Sequence, residues 1–348
     1  MLRRIASCGW AVLMGCAMLF AGVPQAQARS HARVGVAGPN AMEANPRGTA
    51  SLGEVSRGTA SMGAVSLGEV SRGAVSPGEG AARHEPTVFA HRGASADAPE
   101  NTLAAVRLAR RLGARWVEND VQRTKDGGLV VIHDSTLKRT TDVEKVFPRR
   151  APWNVGDFTL AEIERLDAGS WFDARFRGER VPTLEQYLAE LDHTGQGLLL
   201  EIKEPGLYPG IEAEIAHELG RLGWLDRAHV RKRLIVQSFD VDSLATFHVF
   251  RPMVRTALLG TPDLSDVYRY AWFTDGVNPR AKDATSAYVS ALHDVRGAHG
   301  KRLRVSTWTV NDVATVRRVV ANGVDGLITN RPDMVLDAVR MPEAAFAR

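Results

Sequence analysis

The chain has 348 residues, a formal charge of +4, 24% charged and 7% aromatic residues, an ordinary balance for a soluble globular protein. Its basic residues are scattered rather than gathered on one helix and its aromatics are few, which speaks against a nucleic-acid groove. Both cysteines, Cys8 and Cys16, fall in a segment read below as a cleaved leader, so a mature chain has no disulfide, thiolate metal site or cysteine nucleophile and must rest on a large core.

Residues 1–28 combine Arg3 and Arg4, an apolar run over 5–23 and the small-x-small sequence Ala26, Gln27, Ala28, the three parts of a secretory signal peptide. Cleavage near Ala28 leaves a formal charge of +2 and an exported protein, periplasmic or secreted. An uncleaved anchor or a lipoprotein signal at Cys16 competes with this, but the sequence stays apolar past Cys16, as the interior of a signal does. Residues 29–85 read as a disordered linker, within which 47–80 repeats with a period of five (RGTAS, LGEVS, RGTAS, MGAVS, LGEVS, RGAVS). Gly, Ser and Ala with single apolar residues bury too little surface to offset the entropy of ordering, and the period is too short for a solenoid unit.

From 86 to 340 short apolar runs alternate with helical patterns, which predicts a parallel α/β architecture. Strands are expected at 88–90, 116–121 and 129–132, the last after a Lys125, Asp126, Gly127, Gly128 turn, with a helix at 101–112 between the first two. Residues 135–182 show little periodicity beyond a short helix at 159–166 and read as an inserted lobe carrying Trp153, Trp171 and Phe172. A helix follows at 183–192, capped by Thr183. Further strands are expected at 198–203, 234–238, 254–259, 303–309 and 326–329, and a weak one, holding Pro279, at 276–282. The intervening helices are placed at 211–222, 241–250, 264–271, 287–298, 313–321 and 334–339, with a tail at 341–348.

About eight such units match the arithmetic of a TIM (β/α)8 barrel with an inserted lobe; an open doubly wound sheet would want a glycine-rich turn after its first strand, where this chain has HRGASAD. In a barrel, His91, Glu118, Asp120, His133, Glu201, Lys203, Gln237 and Trp308 all fall at or near strand carboxyl ends. Glu118 and Asp120, two apart on a strand, share a face and repel unless a cation lies between them. With Glu201 they make a hard oxygen site suited to Mg²⁺ or Ca²⁺ rather than zinc. Arg92 and Lys203 stand where a phosphate could bridge them to that metal. His91 and His133 can each take or give a proton near neutrality, or instead serve as wall residues or metal ligands.

Several ordered runs carry a likeness: His91, Arg92, Gly93; Pro99, Glu100, Asn101, Thr102; Glu118, Asn119, Asp120, Val121; Thr124, Lys125, Asp126, Gly127; and His133, Asp134. Glu201, Ile202, Lys203, then Trp308, Thr309, Val310, Asn311, then Gly323 to Gly326 and Thr329, Asn330, Arg331, Pro332 continue it. Together they resemble the glycerophosphodiester phosphodiesterase family. The resemblance implies hydrolysis of a small-molecule glycerophosphodiester to glycerol 3-phosphate and an alcohol. It also implies His91 and His133 as the acid/base pair, Glu118, Asp120 and Glu201 as ligands of one divalent cation, Arg92 and Lys203 as phosphate partners, and Trp308 as a wall of the glycerol pocket. A phospholipase D-like relative acting on lysophospholipids or sphingomyelin is the neighbouring reading, with peripheral lipid contact through the lobe aromatics. A non-catalytic surface binding protein on a repeat stalk is the alternative of another class, although no motif residue is replaced. Oligomeric state is left open by the sequence.

Overall fold

Runs such as LLLEI and LIVQS, rich in branched apolar residues, become the staves of a closed barrel. The computed structural model describes residues 85–341; the expected leader, the repeat-bearing linker and the tail from 342 onward lie outside the described residues. The strands are β1 (Thr87–His91), β2 (Trp116–Arg123), β3 (Leu129–Val131), β4 (Gly197–Ile202), β5 (Leu234–Ser238), β6 (Arg255–Leu259), β7 (Gly276–Asn278), β8 (Arg304–Thr307) and β9 (Gly326–Thr329). Parallel pairing runs β2, β4, β5, β6, β7, β8, β9, and β1 pairs with both β9 and β2, which closes the ring at eight strands. β3 pairs antiparallel with β2 alone and stands outside that ring. With helices around it, this is a (β/α)8-type barrel.

Each helix contributes an apolar stripe to the layer between strands and helices. In the helix Leu103–Arg111, Thr102 caps the first turn by accepting from Ala105 N, and Ala105, Val106 and Ala109 are buried. Thr183 and Gln186 form a reciprocal capping box on the helix Leu184–Thr194, and Gly195, at φ 70°, ends it. Inside the barrel a smaller cluster of Phe89, Leu199 and Ile328, flanked by Trp116, Ile235 and Trp308, fills the axis.

Differences from the sequence expectation have local causes. The weak strand is only three residues long, because Pro279 follows it and can donate no ladder hydrogen bond. The helix expected to reach 298 ends at His293; the chain then turns back through a bridge between Arg296 and Arg302, and Gly297 packs against the Thr274 carbonyl where a side chain has no room. A short helix, Arg227–Lys232, capped by Asp226, was not expected. Between β3 and the helix Leu184–Thr194, the longest helical pieces are Val143–Val146 and Leu160–Ile163, and the segment keeps its own apolar cluster including Leu137, Phe158, Ile163 and Leu166. Among the described residues no helix is long and apolar enough to cross a membrane.

Candidate active site

Register decides which side chains meet. Partners in a parallel ladder face the same way, and residues two apart share a face. His91 pairs with Glu118, Asp120 with Glu201, and Glu201 with Gln237, so all five point into the barrel at its carboxyl end. Oxygens of Glu118, Asp120 and Glu201 lie within 4.8 Å of one another and all three residues are buried. Lys203, just past β4, reaches Glu201 Oε1 at 2.9 Å and Asp120 Oδ1 at 3.6 Å.

Arg92 leaves β1 at φ 58°, a left-handed turn continued by Gly93 at φ 85°. Gly93 is required there: a Cβ would lie 2.6 Å from that of Ala105, so the turn packs directly on the following helix. The turn aims Arg92 N at Glu118 Oε2 (3.0 Å), its Nε at Asp120 Oδ2 (3.3 Å) and its Nη1 at Glu100 Oε1 (2.8 Å). Asn101, also left-handed at φ 60°, donates Nδ2 to Asp120 Oδ2 at 2.9 Å. Asp120 Oδ1 is buried without a hydrogen-bond partner.

The electrostatics of the three carboxylates diverge. Burial and then the neighbouring Asp120 push Glu201 up to about 7, and burial with the charges of Asp120 and Glu201 pushes Glu118 well above the usual range. Asp120 moves the other way: burial opposes its charge, but Arg92, His133 and Lys203 hold it below the usual value. A buried acidic group of this kind, with one oxygen that no hydrogen bond holds, fits a hard divalent cation, which accepts carboxylate oxygens at irregular geometry. Such a cation would be held by Glu118, Asp120 and Glu201.

The two histidines are fixed through Nδ1. His91 Nδ1 pairs with Asn330 Oδ1 at 2.7 Å, and its Nε2 lies 4.0 Å from Glu118 Oε2. Burial, and then the Arg92 charge, push His91 down to about 4, so its ring is neutral near pH 7. His133 Nδ1 pairs with Asp134 Oδ1 at 2.8 Å. One buried amide sets the backbone there: Gln122 Nε2 donates to the carbonyls of Ile132, His133 and Asp134 at 2.8, 3.0 and 2.8 Å. Arg139 binds Asp134 through Nε (2.7 Å) and Nη2 (2.9 Å), and Glu100 through Nη1 and Nη2 (both 2.8 Å). Asp134, Arg139, Glu100 and Arg92 thus form one charged chain between His133 and Asp120.

All eight residues to which the resemblance gives a site role meet at this mouth. His91, Arg92, Glu118, His133, Glu201, Lys203 and Trp308 line a cavity of about 260 Å³, and Asp120 lies among its acids. Trp308 is anchored by Nε1 donating to Asn278 O at 2.8 Å, with Phe239 edge-on at 5.5 Å and the Arg280 guanidinium 5.2 Å from its ring centre. Sequence reasoning missed Arg139 and Arg280, and gave no role to Glu100, Asp134 or Asn330, although those three sit in the runs quoted above. It also missed the line from Glu118 through Gln237 (3.3 Å) to Asn278 (2.9 Å) that braces the acids across the barrel.

Residues 91–334 match the model of the glycerophosphoryl diester phosphodiesterase family. A glycerophosphodiester phosphodiesterase of Caldanaerobacter subterraneus subsp. tengcongensis is 36% identical over 255 residues, 73% of this chain and 97% of that one. One from Bacillus subtilis is 35% identical over 260 residues, 70% and 83% of the two chains. Among solved structures, a phosphodiesterase of Oleispira antarctica in complex with the product sn-glycerol-3-phosphate is 27% identical, covers 74% of this chain and 97% of its own, and superposes with a TM-score of 0.60.

Proposed function

The chain belongs to the glycerophosphoryl diester phosphodiesterase family, and from that premise we infer that it hydrolyses glycerophosphodiesters to glycerol 3-phosphate and an alcohol. The observation that carries this is one cavity that holds three clustered carboxylates, two cations and two imidazoles. A relative with the same fold binds the product sn-glycerol-3-phosphate.

When bound, a divalent cation supplies Lewis-acid polarisation of a phosphoryl oxygen. The rest falls to the protein's own side chains. Arg92 and Lys203 hold the phosphate by charge-assisted hydrogen bonds, while Asp120 and Glu201 keep both cations aimed at the cavity. His91, with Nδ1 donating to Asn330, has Nε2 free to accept the proton of the nucleophile. His133, oriented by Asp134, returns a proton to the departing alkoxide. Trp308, with Phe239 beside it, gives the glycerol carbons an apolar wall. Mg²⁺ and Ca²⁺ both suit the oxygen set, and hydrolysis measured after EDTA treatment and restoration of each ion in turn selects between them.

The lysolipid and sphingomyelin reading has one observation in its favour: Phe239, at the rim beside Trp308, is 49% exposed. Of the lobe aromatics, Trp171 is exposed and offers a peripheral contact with lipid. Turnover of glycerophosphocholine beside that of a lysophospholipid decides, and exclusive lysolipid cleavage would overturn the first reading. We also propose export, on the signal-like residues 1–28; the amino terminus of the protein recovered from its host, read by mass spectrometry, tests it.

A further inference from the structure

A second cavity, of about 60 Å³, lies in the barrel at the opposite, amino-terminal end. Phe89 and Leu199 line it, and they pack with Ile328, which lines the upper cavity, so an apolar layer separates the two. Arg255 opens β6 and Arg304 opens β8, and both line the lower space. Between them β7 begins with Gly276, which has no side chain to fill the gap. A Cβ there would lie 2.8 Å from the Arg304 carbonyl, so the space between the arginines is built into the backbone packing.

The charges in this cavity do not balance. Arg255 Nε and Nη2 are buried without a hydrogen-bond partner. Arg304 Nη2 has only two long, neutral contacts, Thr87 Oγ1 at 3.5 Å and Asp325 O at 3.3 Å. Among the described acidic residues only Asp275 lines the cavity, and its oxygens are already taken. Oδ1 accepts from His299 N (3.1 Å) and pairs with His299 Nδ1 (2.8 Å), while Oδ2 accepts from Thr256 N (3.2 Å). Burial and the Arg304 charge press Arg255 towards its neutral form, with Asp275 opposing them. Buried donors of a guanidinium with no acceptor are costly, and Arg255, with the weakly bonded Arg304 facing the same space, calls for a negative charge there.

We propose that the floor of the barrel binds one small inorganic anion, of chloride size, between the guanidinium groups of Arg255 and Arg304. The space amounts to about two waters at roughly 30 Å³ each, which admits a halide with one remaining water and excludes a glycerophosphodiester. Its role is structural. The anion ties β6 to β8 across the three-residue β7, the shortest stave of the ring.

The test is the thermal midpoint of the full chain, with its divalent cation bound, titrated with chloride against gluconate at constant ionic strength. The expected result is a saturable rise with chloride. Arg255→Gln should weaken the apparent chloride affinity at least tenfold and leave hydrolysis unchanged, while Lys203→Gln, altered at the upper mouth, should keep the chloride response. A wild-type midpoint indifferent to chloride, or an equal response in Arg255→Gln, overturns the proposal. If Arg255→Gln does not fold, wild-type crystals soaked in bromide give the answer. An anomalous peak between the two guanidinium groups supports the site, and its absence there overturns it.

Discussion

Asp120 and Glu201 are direct partners in the ladder between β2 and β4, and one ammonium reaches both, Lys203 Nζ lying 2.9 Å from Glu201 Oε1 and 3.6 Å from Asp120 Oδ1. The pairing brings together carboxylates from separate parts of the chain, on one face, with a cation beside them that also lines the cavity. Lys203 and Arg92 offset two of the three acidic charges. A divalent cation would take up the third and add the positive charge a phosphate diester requires.

Metal binding should therefore stabilise the fold in a pH-dependent way. Glu118 and Glu201 have folded-state pKa values above their ordinary ones, through burial and then the neighbouring charge of Asp120, with Glu201 at about 7. An acid raised in this way leaves the metal-free protein less stable as pH climbs from the unfolded value, about 4.3, through the folded one. The cation binds the charged forms and offsets that loss. Adding Mg²⁺ or Ca²⁺ should raise the melting temperature more at about pH 8 than at about pH 5. Equal gains at both pH values, or hydrolysis that survives exhaustive chelation, count against the three-carboxylate site.

Removing either imidazole should stop chemistry without unfolding the barrel. His133→Ala and His91→Ala are each expected to lower kcat roughly 10²- to 10⁴-fold, the usual contribution of a positioned acid or base, with melting temperatures close to wild type. Steady-state kinetics and a thermal melt on the same preparations check this. Wild-type turnover in either variant removes that histidine from the acid/base pair.

The charged chain behind His133 should matter for orientation rather than binding. Asp134 is held well below the usual carboxylate range, chiefly by its hydrogen bonds from Arg139, although partial burial works against its charge. Asp134→Asn keeps the shape but turns a pure acceptor into a mixed donor and acceptor, so kcat should fall about tenfold or more while KM changes little. Arg139→Met frees both Asp134 and Glu100 and should do the same, with Arg139→Lys restoring only part, because the two bidentate pairs need a planar fork. A rise in KM with kcat intact would instead mark the chain as a substrate-binding element.

At the other end of the barrel, Asp325 is a stability residue. Its side chain is buried and accepts from Arg302 Nη2 (2.7 Å) and Val305 N (2.9 Å), with His293 Nε2 at 3.0 Å. Burial opposes its charge, but these partners, Arg302 foremost, hold its pKa below the ordinary value. A depressed folded pKa gives stability that is full above the unfolded value, about 3.9, and is lost as pH falls through the folded one. Asp325→Asn should cost about 2 kcal/mol at neutral pH, less in acid, and leave kcat unchanged. Urea denaturation at two pH values measures it, and an equal loss at both would mean that the charge is not the source.

The barrel, its strands and its acids were legible because they depend on local pattern. Alternating apolar runs and helical stripes set the elements, and Glu118, Asp120 and Glu201 each lie in a run that reads as a strand. The boundaries that slipped did so where distant contacts decide. Gly297 turns where the Thr274 carbonyl leaves no room for a side chain, and the 276–282 run is cut to three residues at Pro279.

From its sequence alone the chain determined which groups it carries: three carboxylates of a kind that suits a hard cation, two imidazoles, two cationic side chains, and ordered runs specific enough to suggest the family. Tertiary structure alone decided what those groups do to one another. Parallel register set Asp120 beside Glu201, burial made all three carboxylates resist charge while Arg92, His133 and Lys203 held Asp120 charged, and the path of the chain after β3 carried Arg139 back to Glu100 and Asp134. Those relations depend on distance and on exclusion of water, and neither is encoded in the spacing of residues along the chain.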